Sequence, residues 1–81
     1  MGEPTTREAV LHIAEEVLEV EAARLTDGAH LTGDLGATSL QLLDFVVAVE
    51  RHFRVRFTAE ELKAERLGQV MQAVEAAVAR R

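Results

Sequence analysis

Apolar residues recur at helical spacing in three separate stretches of this chain, and polar or turn-forming segments separate them. Val10, Leu11, Ala14, Val17 and Leu18 share one helical face, with Ile13 at its flank and Glu15, Glu16 and Glu19 turned outward. Just before them, Thr5-Thr6-Arg7-Glu8 has the form of a capping box, Thr5 as cap and Glu8 reaching back. The pattern predicts a first helix over about 6–20. Leu42, Phe45, Val46, Val49 and Phe53 form a second face, in a helix predicted over 39–53 with Thr38 as cap and Gln41 completing its box. A third face of Leu67, Val70, Met71, Val74, Ala77 and Val78 predicts a last helix near 67–79, with Gly68 in its first turn. Arg80 and Arg81 suit the negative end of that helix dipole.

The segments between these faces predict the rest of the architecture. Residues 22–37 hold turn formers, Thr26-Asp27-Gly28 and Thr32-Gly33-Asp34, and isolated leucines at 25, 31 and 35 that would pin a long loop to the core. Loops of this length are uncommon in small domains and often functional. His52-Phe53-Arg54-Val55-Arg56-Phe57 alternates like a strand, but nothing offers to pair with it, so an extended link is expected. Thr58-Ala59-Glu60-Glu61 is a further capping box and predicts a short helix over about 58–63. The expected fold is all-α: one domain over 1–81, a small four-helix bundle of three main helices and one short one, with a long loop between the first two. The second helix carries a second stripe, Leu40, Leu43 and Val47, with Asp44 and Glu50 beside it. Either that stripe packs on the loop or a neighbouring helix, or it offers an apolar patch to a partner.

Composition narrows the function. A chain of 81 residues has room for one small core, and without cysteine that core has no disulfide or thiolate metal site to reinforce it. A hydrophobic content of 48% argues against disorder, and no apolar run reaches the length of a membrane span. The N-terminus lacks a basic segment followed by an apolar one, so no signal peptide is expected and the cytoplasm is the default compartment. Met1-Gly2 with Thr6 formally fits N-myristoylation, in a poor context of Glu3 and Pro4. Charge is uneven within the net −5: residues 1–37 hold eight acids against two bases, and the remainder is close to balanced. No basic stripe for nucleic acid exists. The acidic half would steer toward basic partner surfaces, or simply keep the chain solvated.

The chemistry-bearing stretch is Gly33-Asp34-Leu35-Gly36-Ala37-Thr38-Ser39-Leu40. Glycines at 33 and 36 open backbone conformations closed to other residues. Ser39 falls in the first turn of a helix, where free N–H groups and the positive dipole end would favour a phosphate ester. As a nucleophile it lacks support: the surroundings are not Gly-x-Ser-x-Gly, and His12, His30 and His52 have no motif spacing. His12 and Glu16 make the one metal-like i,i+4 pair, with no second set to match, and no Gly-Lys-Ser/Thr ends the glycine-bearing loop. A serine so placed reads as an attachment point.

Asp34-Leu35-Gly36-Ala37-Thr38-Ser39-Leu40 resembles the acyl carrier protein signature Asp-Leu-Gly-Ala-Asp-Ser-Leu, and the resemblance extends over most of the chain. Helix 40–53 with Glu50 and the closing Phe53, the apolar Val55 and Phe57, and the run from Leu67 through Val70-Met71-Gln72-Ala73-Val74 are similar to the same family. The resemblance implies a carrier rather than an enzyme. A phosphopantetheinyl transferase would attach a covalent 4′-phosphopantetheine arm to Ser39, with coenzyme A as donor and a magnesium ion that stays with the transferase. The arm's thiol would carry acyl or aminoacyl groups as thioesters, put on by a loading enzyme and passed to downstream synthase or tailoring enzymes. Thr38, Leu40, Leu43, Asp44, Val47 and Glu50 are the expected grip for those partners, and the carrier is expected to be a monomer. Two departures stand out: Thr38 replaces the usual aspartate, and Gln41, Arg51 and His52 stand where acids are common in fatty-acid carriers. They favour a stand-alone carrier of polyketide or nonribosomal peptide assembly. A fatty-acid carrier, a carrier-fold interaction module that is never loaded, and a small hydrolase remain as alternatives.

Overall fold

The computed structural model describes residues 5–81; the Met1-Gly2 start of the myristoylation pattern lies outside the described residues. Three α-helices follow in order, α1 (Thr6–Leu18), α2 (Ser39–Phe53) and α3 (Leu67–Arg80), with 3₁₀ turns at Ala22–Arg24 and Glu61–Lys63. Among the described residues no strand forms, and a lone antiparallel bridge joins His30 to Arg66. The core takes Val10, Ala14 and Leu18 from α1, Phe45 and Val49 from α2, and Leu67, Val70, Met71 and Val74 from α3. α1 packs on both other helices. Leu25, Leu31 and Leu35 are buried with them, so the leucines of the long connection pin it down as expected. Ala29 and Ala37 are buried in the same segment, which their small side chains gave no means of foreseeing.

Several boundaries differ from expectation, each for a physical reason. α1 ends at Leu18 rather than 20, because Glu19 turns left-handed (φ 54°) and sends Val20 back onto the core. A glycine commonly marks such a stop, and its absence hid the end of the helix. Glu8 does not reach the Thr5 backbone: the Thr5 hydroxyl accepts from Glu8 N–H and donates to the Glu8 carboxylate, both at 3.1 Å. The short helix expected over 58–63 is reduced to the single 3₁₀ turn Glu61–Lys63. Its box is complete, but its one large apolar residue, Leu62, is 54% exposed, so no buried stripe offsets the cost of nucleating a helix. Of the two glycines singled out before Ser39, only Gly36 has a positive φ (69°), and Gly33 does not use that freedom.

Three backbone hydrogen bonds tie the long connection to the entry of α3: Leu31 N–H to Glu65 O at 2.8 Å, Leu67 N–H to Ala29 O at 3.0 Å, and Gly68 N–H to Asp27 O at 2.8 Å. The approach is close enough that a Cβ at position 68 would lie 3.0 Å from Asp27 O, which explains a glycine in the first turn of a helix. Arg66 reinforces the seam by donating to Gly28 O at 2.6 Å. The connection is therefore fixed at its middle before it turns toward α2.

Candidate functional site

The segment between this seam and α2 is a set of nested turns. Asp34 N–H and Leu35 N–H both donate to His30 O (2.9 and 3.1 Å), Gly36 N–H to Thr32 O (3.0 Å) and Ala37 N–H to Leu31 O (3.0 Å). Side chains close the same turns. The Asp34 carboxylate accepts from His30 N–H at 2.7 Å, and Gly33 N–H donates to His30 Nδ1 at 3.0 Å, with Arg24 donating to Asp34 O. Gly36, in its left-handed conformation, then redirects the chain into α2. Loop and helix thus meet at a fixed point.

At that point Thr38 takes extended backbone (φ −80°, ψ 166°) and its hydroxyl accepts from Gln41 N–H at 3.1 Å, while Gln41 Oε1 accepts from Thr38 N–H at 2.9 Å. The reciprocal box leaves the N–H groups of Ser39 and Leu40 as the free donors of the turn, with no acceptor among the described residues. Ser39 is exposed as the first helical residue, and no acid lies in the first turn of α2. The nearby carboxylate of Asp34 is spent on His30 N–H. An anion on Ser39 Oγ would meet two N–H donors and the positive dipole end, with no acid in the same turn. No histidine or carboxylate hydrogen-bonds Ser39 among the described residues, so nothing activates it as a nucleophile. The geometry fits a phosphodiester tether.

Of the expected grip, the structure brings Leu40, Leu43 and Val47 together on one open stripe, 67%, 60% and 36% exposed, with exposed Asp44 beside them. None of the three belongs to the core or is packed against it. Thr38 is exposed, but its side chain is committed to the cap. Glu50 stands apart: half-buried, its Oε2 accepts from Phe57 N–H at 2.8 Å, and its carbonyl accepts from Val55 N–H at 3.0 Å. Glu50 therefore shapes the extended link after α2. Leu62 was missed as a surface residue. It joins Leu42, Phe45, Val46, Phe57 and Val70 around an apolar cavity of about 70 Å³ between α2 and α3. That is about half the roughly 150 Å³ that admits a benzene-sized guest. The signal that could have found Leu62 is a large apolar residue just inside a capping box with no stripe behind it.

Comparison with known proteins agrees with this geometry. A family model described as the phosphopantetheine attachment site matches residues 8–74. The chain belongs to that family. An acyl carrier protein of Guillardia theta is 33% identical over 75 residues, covering 93% of this chain and 90% of that protein. The chain is accordingly a carrier with a phosphopantetheine attachment domain, and carriers of this family bear the arm without being catalysts. No described helix is long and apolar enough to cross a membrane, and no group of three or more His, Asp or Glu residues among those described is arranged to hold a metal ion.

Proposed function

We propose that Ser39 carries the 4′-phosphopantetheine arm and that the chain ferries acyl or aminoacyl groups among dedicated enzymes of polyketide or nonribosomal peptide assembly. The single observation that carries the attachment reading is an exposed, uncommitted hydroxyl at the head of α2, beside two free N–H donors and with no carboxylate in that turn. The arm, once attached, supplies a thiol that holds the cargo as a thioester. The chain's own part is to hold one end of that leash. The first turn of α2 stabilises the charged phosphodiester, and the Thr38–Gln41 box keeps the turn from fraying under a swinging load.

Partners would grip the stripe of Leu40, Leu43 and Val47 with Asp44 at its edge, Thr38 bordering it and Glu50 bracing the far end. Four groups of enzymes would read it: a phosphopantetheinyl transferase, a loading enzyme, and downstream synthase and tailoring enzymes. The specialised-metabolite reading is supported by Gln41, Arg51 and His52 on α2, which leave Asp44 and Glu50 as its only acids. The cavity of about 70 Å³ has room for a stub of cargo and not for a long chain. The all-helical fold, read as the carrier bundle with its fourth helix shortened to a turn, suits a compact handle in the cytoplasm.

The test is intact mass after incubation with a promiscuous phosphopantetheinyl transferase and coenzyme A. Wild type gains one arm, and Ser39→Ala gains none. An unmodified wild type, or an arm on Ser39→Ala, sinks the assignment. Offering the loaded chain acyl- and aminoacyl-activating enzymes in parallel, and reading the thioester by mass, decides the cargo class.

A further inference from the structure

The exposed stripe of α2 does not stop at Val47. At 100° per residue, Leu40, Leu43, Val47 and Arg51 fall within roughly 80° of arc, so they form one continuous row along the helix, and Arg54 follows just past its last residue. The row changes character along its length. It is apolar from Leu40 to Val47 and ends on the exposed Arg51, with the exposed Arg54 beyond the end of the helix. Arg54 occupies the left-handed position that closes α2 (φ 56°), where glycine is the usual residue. Beyond it an open concavity of about 390 Å³ is lined by Arg54, Val55, Arg56, Ala77, Arg80 and Arg81, with no acid among its walls. Arg80 is held there by Glu61 at 2.7 and 2.9 Å and by Arg56 O at 3.2 Å, and Arg81 by Phe53 O. The guanidinium groups of Arg51, Arg54 and Arg56 have no acceptor among the described residues.

We propose that the partners which grip α2 carry an acidic surface that meets Arg51, Arg54 and the arginine-lined concavity, while an apolar depression beside it takes Leu40, Leu43 and Val47. The inference rests on the reading of α2 as the handle for partner enzymes. The chemistry of the row selects this occupant. Three unpaired guanidinium groups beside an apolar strip fit carboxylates that flank a hydrophobic hole, and the planar fork of arginine pairs with carboxylate in two parallel bonds. A small anion is the poorer fit, because the concavity is open and would leave most of such a ligand in water. α2 rises about 1.5 Å per residue, which puts the basic end roughly 21 Å from Ser39. Charge there sets the approach and orientation of a partner without crowding the tether.

The test uses the whole chain, ¹⁵N-labelled and without its arm, and two helical peptides that share the same leucines and differ in their flanking residues, all glutamate or all lysine. The glutamate peptide shifts amides along 40–56 and binds about tenfold more tightly than the lysine peptide, and this preference shrinks as salt rises. The double variant Arg51→Glu/Arg54→Glu, shown by a thermal melt to be folded, exchanges the preference. Equal binding of the two peptides, binding of neither, shifts away from α2, or a variant that still prefers glutamate each overturn the proposal. The failures are separable. A chain that takes no arm on Ser39 defeats the tether assignment, whereas the peptide preference is read on the unloaded protein.

Discussion

Two capping boxes in this chain are alike in residue pattern and in hydrogen bonding, yet they start different structures. Thr38 and Gln41 satisfy each other reciprocally, and so do Thr58 and Glu61, whose paired bonds measure 2.8 and 3.2 Å. The first launches the 15 residues of α2, the second a turn of three. A box satisfies orphan N–H groups, but it cannot supply the tertiary burial that sustains a helix. Behind Thr38 stand Phe45 and Val49, almost wholly buried. Behind Thr58 stands Leu62, largely exposed, and the turn is held instead by the ion pair of Glu61 with Arg80 of α3 at 2.7 Å. A start signal tells where a helix can begin, and the buried stripe decides whether it continues.

The largest expected effect comes from removing what the second region lacks. Phe45→Ala leaves a cavity in the centre of the core and should cost about 3–5 kcal/mol in chemical denaturation. A loss under about 1 kcal/mol would show that burial does not sustain α2. Next come the caps themselves. Thr38→Ala should cost about 1 kcal/mol, and Thr58→Ala less than about 0.5 kcal/mol, because only the former starts an element that the core depends on. Equal losses at the two sites would erase the distinction.

The smallest effect separates the regions by pH. The hydrogen bonds from Arg80, then the Thr58 N–H, hold the Glu61 carboxyl down to about 2 from an ordinary 4.5. A carboxyl depressed on folding contributes stability that is fully present above its ordinary value and is lost as pH falls toward the depressed one. Glu61→Gln should therefore lower the melting temperature at neutral pH and flatten its decline between about 4.5 and 2. An unchanged acid profile would mean that the turn is held by something else.

Much of the site could be read without tertiary information, because it is local. A threonine cap, a glutamine three residues on, a glycine before them and a serine in the first turn are all within reach of one another along the chain, and their geometry follows from backbone chemistry. The resemblance of the Asp34–Leu40 signature added the arm. Harder to read were Glu50, which looked like a surface acid and instead bonds Phe57 N–H seven residues away, and Gly68, whose need for a small side chain comes from Asp27. In both cases the deciding partner is distant in sequence, and no local pattern announces it.

By itself the sequence determined three amphipathic faces, the points where helices begin and the exposed hydroxyl at position 39, since each depends on periodicity and capping within a few residues. Only the tertiary structure decided that the second stripe of α2 would be left open, that the Thr58 turn would not grow into a helix, and that the long connection would be seamed to α3. Those outcomes depend on which apolar faces can be buried at the same time, and three helices in a small domain cannot bury them all.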